Sequence, residues 1–249
     1  MNSEALVEKM AARGYELNLF GLKIPLSDSI IMMWVVMAII IILAYIFTRN
    51  LKKIPEGKQN IAETVVEFIN SFTKGSVGHH WKSFAPYFGT IMMFLIISNI
   101  VSIFNIIPSA EALHKITGWG IFEHIPEFEI APPTKDINVT AAMAIMSILL
   151  VLFSSIRIKG FKGWLKTFVE PLPLVIPFKI MDYFVRPLSL CLRLFGNILA
   201  AFTLMELIYI AVPVAVPAAF SIYFDLFDGI LQAYIFVFLT SLYITEAIE

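Results

Sequence analysis

An arginine lies in a stretch of sequence that is otherwise apolar. Between Pro187 and Phe224 the only formal charges are Arg193 and Glu206, and most other residues are Leu, Ile, Ala, Val or Phe. A guanidinium inside a bilayer costs between roughly 2.5 and more than 10 kcal/mol, and in proteins it keeps its proton. We therefore expect Arg193 to face a partner charge, a water-filled cavity or a moving ion. The alternative is a structural ion pair or a side chain that reaches to the membrane surface.

Arg193 belongs to a polar stripe on one predicted helix. At 100° per residue, Asp182, Arg186, Arg193 and Asn197 fall within about 60° of one another. Glu206 falls about 140° from Arg193, so these two residues cannot simply pair along one face of the helix. This spacing weakens the interpretation of Arg193 as half of a structural ion pair.

A second polar stripe follows on the last predicted helix. Asp225, Asp228 and Gln232 lie within about 60° of one another, which indicates a water-accessible half-path that an ion can enter. Glu206 would join them only if the two helices pack together. The alternative is that Asp225 and Asp228 simply lie near the outer interface, beside the turn at 213–217.

The two stripes predict a specific kind of chemistry. A fixed positive charge favours the ionised form of a nearby carboxyl group. Arg193 would therefore remove a proton or a sodium ion from a carboxylate that a partner carries past it. The same charge would prevent a direct leak between two half-paths.

The composition is that of a multi-pass membrane protein. Among 249 residues, 59% are hydrophobic and 15% are charged, and the mean hydropathy is +0.82. An ordinary globular chain is roughly 45–50% apolar and about 25% charged. The net charge of −1 gives no electrostatic footprint for nucleic acid.

No residue pattern predicts a metal, a cofactor or an enzyme active site. The single cysteine, Cys191, excludes an intrachain disulfide and a CxxC site. His79 and His80 are adjacent but lack a third ligand, and we interpret them as polar loop residues. No nucleophile or nucleotide-binding loop is indicated, so the chain is not expected to be an enzyme on its own. The N-terminus carries no short apolar core typical of a cleavable signal peptide.

Uncharged runs divide the chain into membrane-spanning segments. The first run covers 29–48, the second 83–110 and the third 137–156, and twenty residues suffice to cross about 30 Å of hydrocarbon. Between the first two, residues 60–74 have apolar side chains at helical spacing, which predicts an interfacial amphipathic helix. The predicted segments are an outer tail 1–28, a transmembrane helix 29–48, a cytoplasmic amphipathic segment 49–82, two transmembrane helices with an acidic outer loop 83–156, a basic cytoplasmic loop 157–177, and a helix pair 178–249 that carries the ion-path residues.

The last two helices are predicted to be long and strongly tilted. From 178 to 212 only Pro187 interrupts a helix that would be about 52 Å long, far more than a membrane needs. The segment 218–247 is expected to behave similarly. The predicted fold class is an all-α membrane protein with about five crossings and an amphipathic interfacial helix.

Positive charges in the loops predict the orientation. Lys and Arg number six in 49–82, two in 111–136 and five in 157–179. The first and third of these loops therefore face the cytoplasm. This places the N-terminus outside and the C-terminus in the cytoplasm.

The string 187–197, Pro-Leu-Ser-Leu-Cys-Leu-Arg-Leu-Phe-Gly-Asn, resembles the a subunit of F-type ATP synthases, their membrane stator. The stretch 132–140 is similar to that family's Pro-(Thr/Ser)-x-Asp-x-Asn-Val-Thr motif, and 231–240 is similar to its closing helix. The resemblance covers nearly the whole chain after the N-terminal tail. It implies an ion-translocating stator subunit, with ATP chemistry on other subunits.

The resemblance implies roles for particular residues. Arg193 would be the essential arginine that faces the rotor-ring carboxylate, Asn197 its near neighbour, and Gln232 the glutamine close to that arginine. Further candidates with weaker support are Asn99, Asp136, Asn138, Asp182 and Arg186. Expected partners are the rotor ring of c subunits, the peripheral-stalk b subunits, the rest of the synthase and the lipid bilayer.

The sequence departs from the family pattern at two positions of the ion path. Many members carry an acid nine residues after the arginine, where this chain has Phe202, and its acid comes one turn later at Glu206. Many bacterial members carry histidine where this chain has Asp225. The access path is therefore assigned to Glu206, Asp225 and Asp228 together, and the coupling ion is a proton or a sodium ion.

Two other classes of protein compete with this interpretation. A secondary transporter predicts an internal repeat with paired broken helices, and the sequence shows none. A structural membrane scaffold does not explain why an arginine lies at position 193 in an apolar segment. The five-crossing plan favours a bacterial plasma membrane over an organellar one.

Overall fold

The computed structural model describes residues 14–19, 22–49, 51–103, 132–169, 176–211, 220 and 222–248. The start of the predicted tail and most of the acidic loop 111–136 lie outside these residues. The side chains of Glu206 and Asp225 also lie outside the described part of the chain. Where the description applies, helices dominate, which confirms the predicted fold class.

A short β-hairpin precedes the first helix. β1, Gly14–Leu19, pairs antiparallel with β2, Leu22–Ser27, and the segment that forms it alternates polar and apolar residues. Helix α1, Asp28–Thr48, follows without a break. The Ser27 Oγ accepts a hydrogen bond from the N–H of Ser29 at 3.4 Å and so caps the helix.

Helix α2, Lys58–Val77, forms where the amphipathic helix is predicted, and it packs through only part of the predicted apolar face, which includes Ile69 and Phe72. Ile69, Thr73 and Val77 are buried, whereas Ile61 and Phe68 of the predicted apolar face are exposed. The Phe72 ring meets Tyr234 edge-on at 5.5 Å. The inward face is therefore set by contact with the last helix.

A turn of 3₁₀ helix, Gly78–His80, leads into α3, Trp81–Ile103. A second 3₁₀ turn, Pro133–Lys135, precedes α4, Ile137–Val169. The first part of α4 continues past the predicted end at 156, and Gly160, whose φ 73° and ψ 162° are not helical, then interrupts the helix. A second helical part follows in the segment predicted as a basic loop, where the lysines are good helix formers.

Helix α5, Ile176–Ala211, runs through Pro187 as one element of 36 residues, about 54 Å long. This confirms the long helix predicted from 178 to 212. The last segment differs from the predicted single helix, because Ile222–Asp228 forms a π-helix before α6, Gly229–Ile248. A π-helical insertion widens the turn and shifts the side chains that precede α6.

Five segments of the described chain are long and apolar enough to cross a membrane, as predicted. They are Asp28–Thr48, Lys58–Val101, Ile137–Thr167, Ile176–Met205 and Leu226–Ile248.

The core lies where α3, α4, α5 and α6 meet. Helix α5 packs along α4, α6 packs against α3 and α4, and α2 lies on α3 and α6. The centre is filled by Phe88, Leu95, Leu194, Phe236 and Ile244, all less than 2% exposed. This core fixes the positions of α5 and α6, which carry the predicted ion-path residues.

Three successive residues near the end of α6 bond to three different helices. The Thr245 Oγ1 donates to the Ser76 carbonyl of α2 at 2.7 Å, the Glu246 Oε1 accepts from Arg186 of α5 at 2.8 Å, and the Ala247 carbonyl accepts from Ser155 of α4 at 2.9 Å.

Candidate functional site

Arg193 lies on an exposed face of α5. Leu190, Cys191 and Leu194 on the opposite side are buried in the core, whereas Arg193 and Leu192 are exposed. Among the described residues none forms a hydrogen bond or an ion pair with Arg193. Asp182 of the same stripe is also exposed. The exposed large apolar side chains of α5 include Met181, Phe184, Val185, Leu188, Leu192, Leu204 and Leu207.

Asn197 and Asp228 join the two predicted polar stripes. The Nδ2 of Asn197 on α5 donates a hydrogen bond to Oδ2 of Asp228 at the end of the π-helix. Both side chains are half-buried. The structure therefore brings together two site residues that lie 31 positions apart in the sequence.

The Asn197–Asp228 bond joins α5 to the π-helix directly before α6. Arg193 precedes Asn197 by four residues, and Gln232 follows Asp228 by four residues, so each lies about 6 Å from the bond along its own helix. Arg193 is exposed and Gln232 is buried.

The Gln232 side chain is enclosed, and its amide nitrogen has no hydrogen-bond partner among the described residues. It is 5% exposed, and its Nε2 meets no acceptor in the described part of the protein. The Oγ of Ser98 on α3 is likewise enclosed and unpaired. Leaving a buried polar group unsatisfied costs about 1–3 kcal/mol, so such groups are either sources of strain or hydrated sites.

Asn99 holds α3 close to the start of α6. Its Nδ2 donates to the Leu95 carbonyl at 2.9 Å and to the Gly229 carbonyl at 3.4 Å. A Cβ at Gly229 would lie 2.6 Å from the Asn99 Cβ, so only glycine fits. Asn99, a weaker candidate from the sequence, thus touches the residue that follows Asp228.

Arg186 connects α5 to α6. It belongs to the same predicted polar stripe as Arg193, but its guanidinium lies against side chains of α6. Its guanidinium lies 2.8 Å from Glu246, 3.7 Å from Asp182 and 4.9 Å from the centre of the Tyr243 ring. The Arg186 side chain is 20% exposed. Arg186 therefore has two carboxylates and one aromatic ring as partners, whereas Arg193 has no hydrogen bond or ion pair among the described residues.

Asp136 and Asn138 lie at the beginning of α4. The Asp136 Oδ1 accepts from the backbone N–H of Asn138 at 2.9 Å and from its Nδ2 at 3.0 Å, and Ser27 Oγ lies 3.5 Å from Oδ2. These bonds cap α4 and connect it to the start of α1. Among the described hydrogen bonds, none joins these two residues to Asn197 or Asp228.

Phe202 has a cation over its ring. The Lys135 ammonium lies 3.6 Å from the ring centre of Phe202, at the position where the family pattern has an acid. Cation–π contacts are worth up to about 2 kcal/mol when they are desolvated. The Phe202 ring therefore binds the ammonium group of Lys135, which a carboxylate at the same position would also attract.

Four residues of this region were not singled out from the sequence: Ser98, Lys135, Gly229 and Glu246. Glu246 is the single acid of α6, which could have marked it as a candidate in the sequence. Its partner Arg186 lies 60 residues away, so the sequence around Glu246 does not indicate the pair. Glu206 and Asp225 belong by their backbone to α5 and the π-helix, and the path predicted through their side chains stays a prediction. Among the described residues, no three His, Cys, Asp or Glu side chains converge as metal ligands do.

The fold and the site define a class: multi-pass helical membrane proteins with an exposed cation on a long apolar helix. Residues 30–245 match the family described as ATP synthase A chain. The chain is also 35% identical over 224 residues to "ATP synthase subunit a, sodium ion specific" from Propionigenium modestum, a match that covers 90% of this chain and 75% of the relative. The chain belongs to the ATP synthase A chain family.

Family membership confirms the resemblance read from the motifs. The protein is an ion-translocating membrane subunit of an F-type ATP synthase and acts within the rest of that complex. It is not an enzyme on its own.

Proposed function

We propose that this subunit provides two half-channels to a rotor ring and that Arg193 separates them. Ions enter from the outside through one half-channel and bind to a ring carboxylate. They leave to the inside through the other half-channel after nearly a full rotation. Arg193 acts electrostatically, because a fixed cation favours the ionised, unloaded form of the carboxylate that passes it.

The exposed position of Arg193 carries this proposal. A cation on an apolar face within a predicted membrane span needs a partner, since the cost of leaving it in lipid is several kcal/mol on most estimates. Arg186 on the same helix has its partners within the chain. The partner of Arg193 is therefore assigned to another subunit, and a carboxylate of the rotor ring of c subunits fits its charge.

The outer half-channel is assigned to the polar residues between α5, α6 and α3. The Asn197–Asp228 pair and the unpaired Gln232 and Ser98 supply polar groups at successive depths. Glu206 and Asp225 are proposed to extend this route toward the outside. Water that hydrates Gln232 and Ser98 would complete the path to the depth of Arg193.

The peripheral-stalk b subunits are proposed to keep this subunit stationary. Helix α1 supports a second protein or lipid contact, because only Ser29, Met32 and Val36 of its side chains are buried. The proposed orientation has the N-terminus outside and the C-terminus in the cytoplasm, in a bacterial plasma membrane. The distribution of Lys and Arg among the loops supports it.

The deciding experiment is ATP-driven ion uptake by the reconstituted complex, wild type against Arg193→Ala, with and without sodium. We expect uptake to vanish in the variant while the complex still assembles. The matched control is Arg157→Ala, an exposed arginine at the edge of the basic segment, which should leave uptake unchanged. Sodium dependence of the wild type would identify the coupling ion.

The same experiment separates the proposal from its rivals. A structural scaffold predicts normal uptake in the Arg193→Ala complex. A self-contained transporter predicts that the purified subunit moves ions without the rotor ring. Either result would overturn the half-channel mechanism.

A further inference from the structure

A small cavity lies where α2 meets α3. Its volume is about 380 Å³, and it is lined by Lys74, Gly78, His79 and Trp81. This volume is within the range of small-ligand sites. Gly78, at φ 64°, makes the turn, and a Cβ there would meet no atom within 4 Å, so the space beside it is open.

The side chains that line the cavity include a lysine, a histidine and a tryptophan, and none of them is acidic. Lys74 and His79 supply N–H groups, and Lys82 places its ammonium 5.9 Å from the centre of the Trp81 ring. No acid occurs in the sequence between residues 68 and 110. The neighbouring α6 has a single acid, Glu246, and Arg186 already binds it.

The cavity lies at the edge of a membrane span. The uncharged run of α3 begins at residue 83, directly after Lys82. Tryptophan and lysine in this position are typical of the membrane–water interface, where lipid headgroups lie. Half-burial of Trp81 leaves part of its ring open to that layer.

We propose that this cavity binds the phosphate headgroup of an anionic phospholipid. Lys74 and His79 donate to the phosphate oxygens, and Trp81 forms the wall next to the hydrocarbon. Basic pockets beside membrane helices recognise lipid headgroups by this combination of charge and position. The site is independent of the ion path, since it lies on α2 and α3 and shares no residue with it.

The test measures lipid bound to the purified synthase complex after it has been stripped of lipid in detergent. The complex is titrated with mixed micelles that contain phosphatidylglycerol or phosphatidylcholine, and bound lipid is counted by native mass spectrometry. We expect phosphatidylglycerol to bind at this site, and Lys74→Gln with His79→Gln to weaken binding about fivefold for each charge or strong donor lost. Lys74→Arg should retain binding.

The control is Lys58→Gln, which removes a charge of the same kind at the far end of α2 and should not change binding. Equal phosphatidylglycerol binding in the double variant and the wild type would show that no such site exists. Displacement of the lipid by millimolar inorganic phosphate would assign the cavity to a soluble anion and overturn the proposal. A cross-link from position 79 to another subunit that blocks lipid binding would assign it to a protein partner, with the same consequence.

Discussion

Asn197 of α5 donates a hydrogen bond to Asp228, the last residue of the π-helix before α6. Each belongs to a stripe of polar residues that is readable in the sequence, and the bond is the point where the two stripes meet. Arg193 lies one helical turn from Asn197, and Gln232 lies one turn from Asp228. The geometry of the proposed outer half-channel therefore depends on one amide donor and one carboxylate acceptor.

Replacing Asn197 by Leu removes the donor and leaves the Asp228 carboxylate without it. Hydrogen bonds to charged groups contribute about 1.5–3 kcal/mol, so we expect ATP-driven uptake to fall by about tenfold at equal amounts of assembled complex. Asn60→Leu, on an exposed face of α2, is the control and should have no effect. Unchanged uptake in Asn197→Leu would remove this bond from the mechanism.

Gly229→Ala should destabilise the chain. The new Cβ would lie 2.6 Å from the Asn99 Cβ, and such overpacking typically costs about 1–3 kcal/mol. Gly75→Ala is a matched control, because a Cβ there meets no atom within 4 Å, and alanine is the better helix former. Thermal unfolding of the purified complex should show a lower midpoint for the first variant and an equal or higher midpoint for the second.

Gln232→Leu should separate stability from function. The leucine removes a buried Nε2 that has no acceptor in the described part of the chain, and relief of that cost should stabilise the chain by about 1 kcal/mol. Uptake should fall at the same time, because the polar route to the depth of Arg193 is interrupted. If the variant is more stable and still transports normally, Gln232 is not part of the path.

Arg186 and Glu246 should show a measurable coupling. In a double-mutant cycle with Arg186→Gln and Glu246→Gln, we expect a coupling energy of about 1 kcal/mol, since Glu246 is 57% exposed and solvent screens the pair. The surface pair Lys52–Glu56, at 2.7 Å, is the control and should couple by less than about 0.5 kcal/mol. Equal coupling energies in the two cycles would mean that the packing of Arg186 does not strengthen its ion pair with Glu246.

The membrane helices were predictable because a long apolar run in the sequence indicates a membrane-spanning helix without any knowledge of its tertiary contacts. The stretch 178–212, interrupted only by Pro187, predicted α5, and the run 29–48 predicted α1 within one residue. Hydrophobic length is a property of the segment alone, and it does not depend on what the segment packs against.

Tertiary contacts were less predictable for the same reason. The apolar spacing in α2 predicted one face, of which Ile69 is buried and Phe72 packs on Tyr234 of α6. The other members of that face, Ile61, Val65 and Phe68, are exposed. Helical angles placed Arg186 with Arg193, and only the fold shows that Glu246 reaches the first of them. The π-helix before Gly229 has no periodic signal of its own.

The polar bonds near the end of α6 impose an order on biogenesis. Ser76, Ser155 and Arg186 are synthesised and inserted long before their partners at 245–247 emerge from the ribosome. Before α6 is present, Arg186 has Asp182 of its own helix as a partner, but none of the three bonds to α6 exists. The contacts at this end of the helices can therefore form only after α6 has been synthesised.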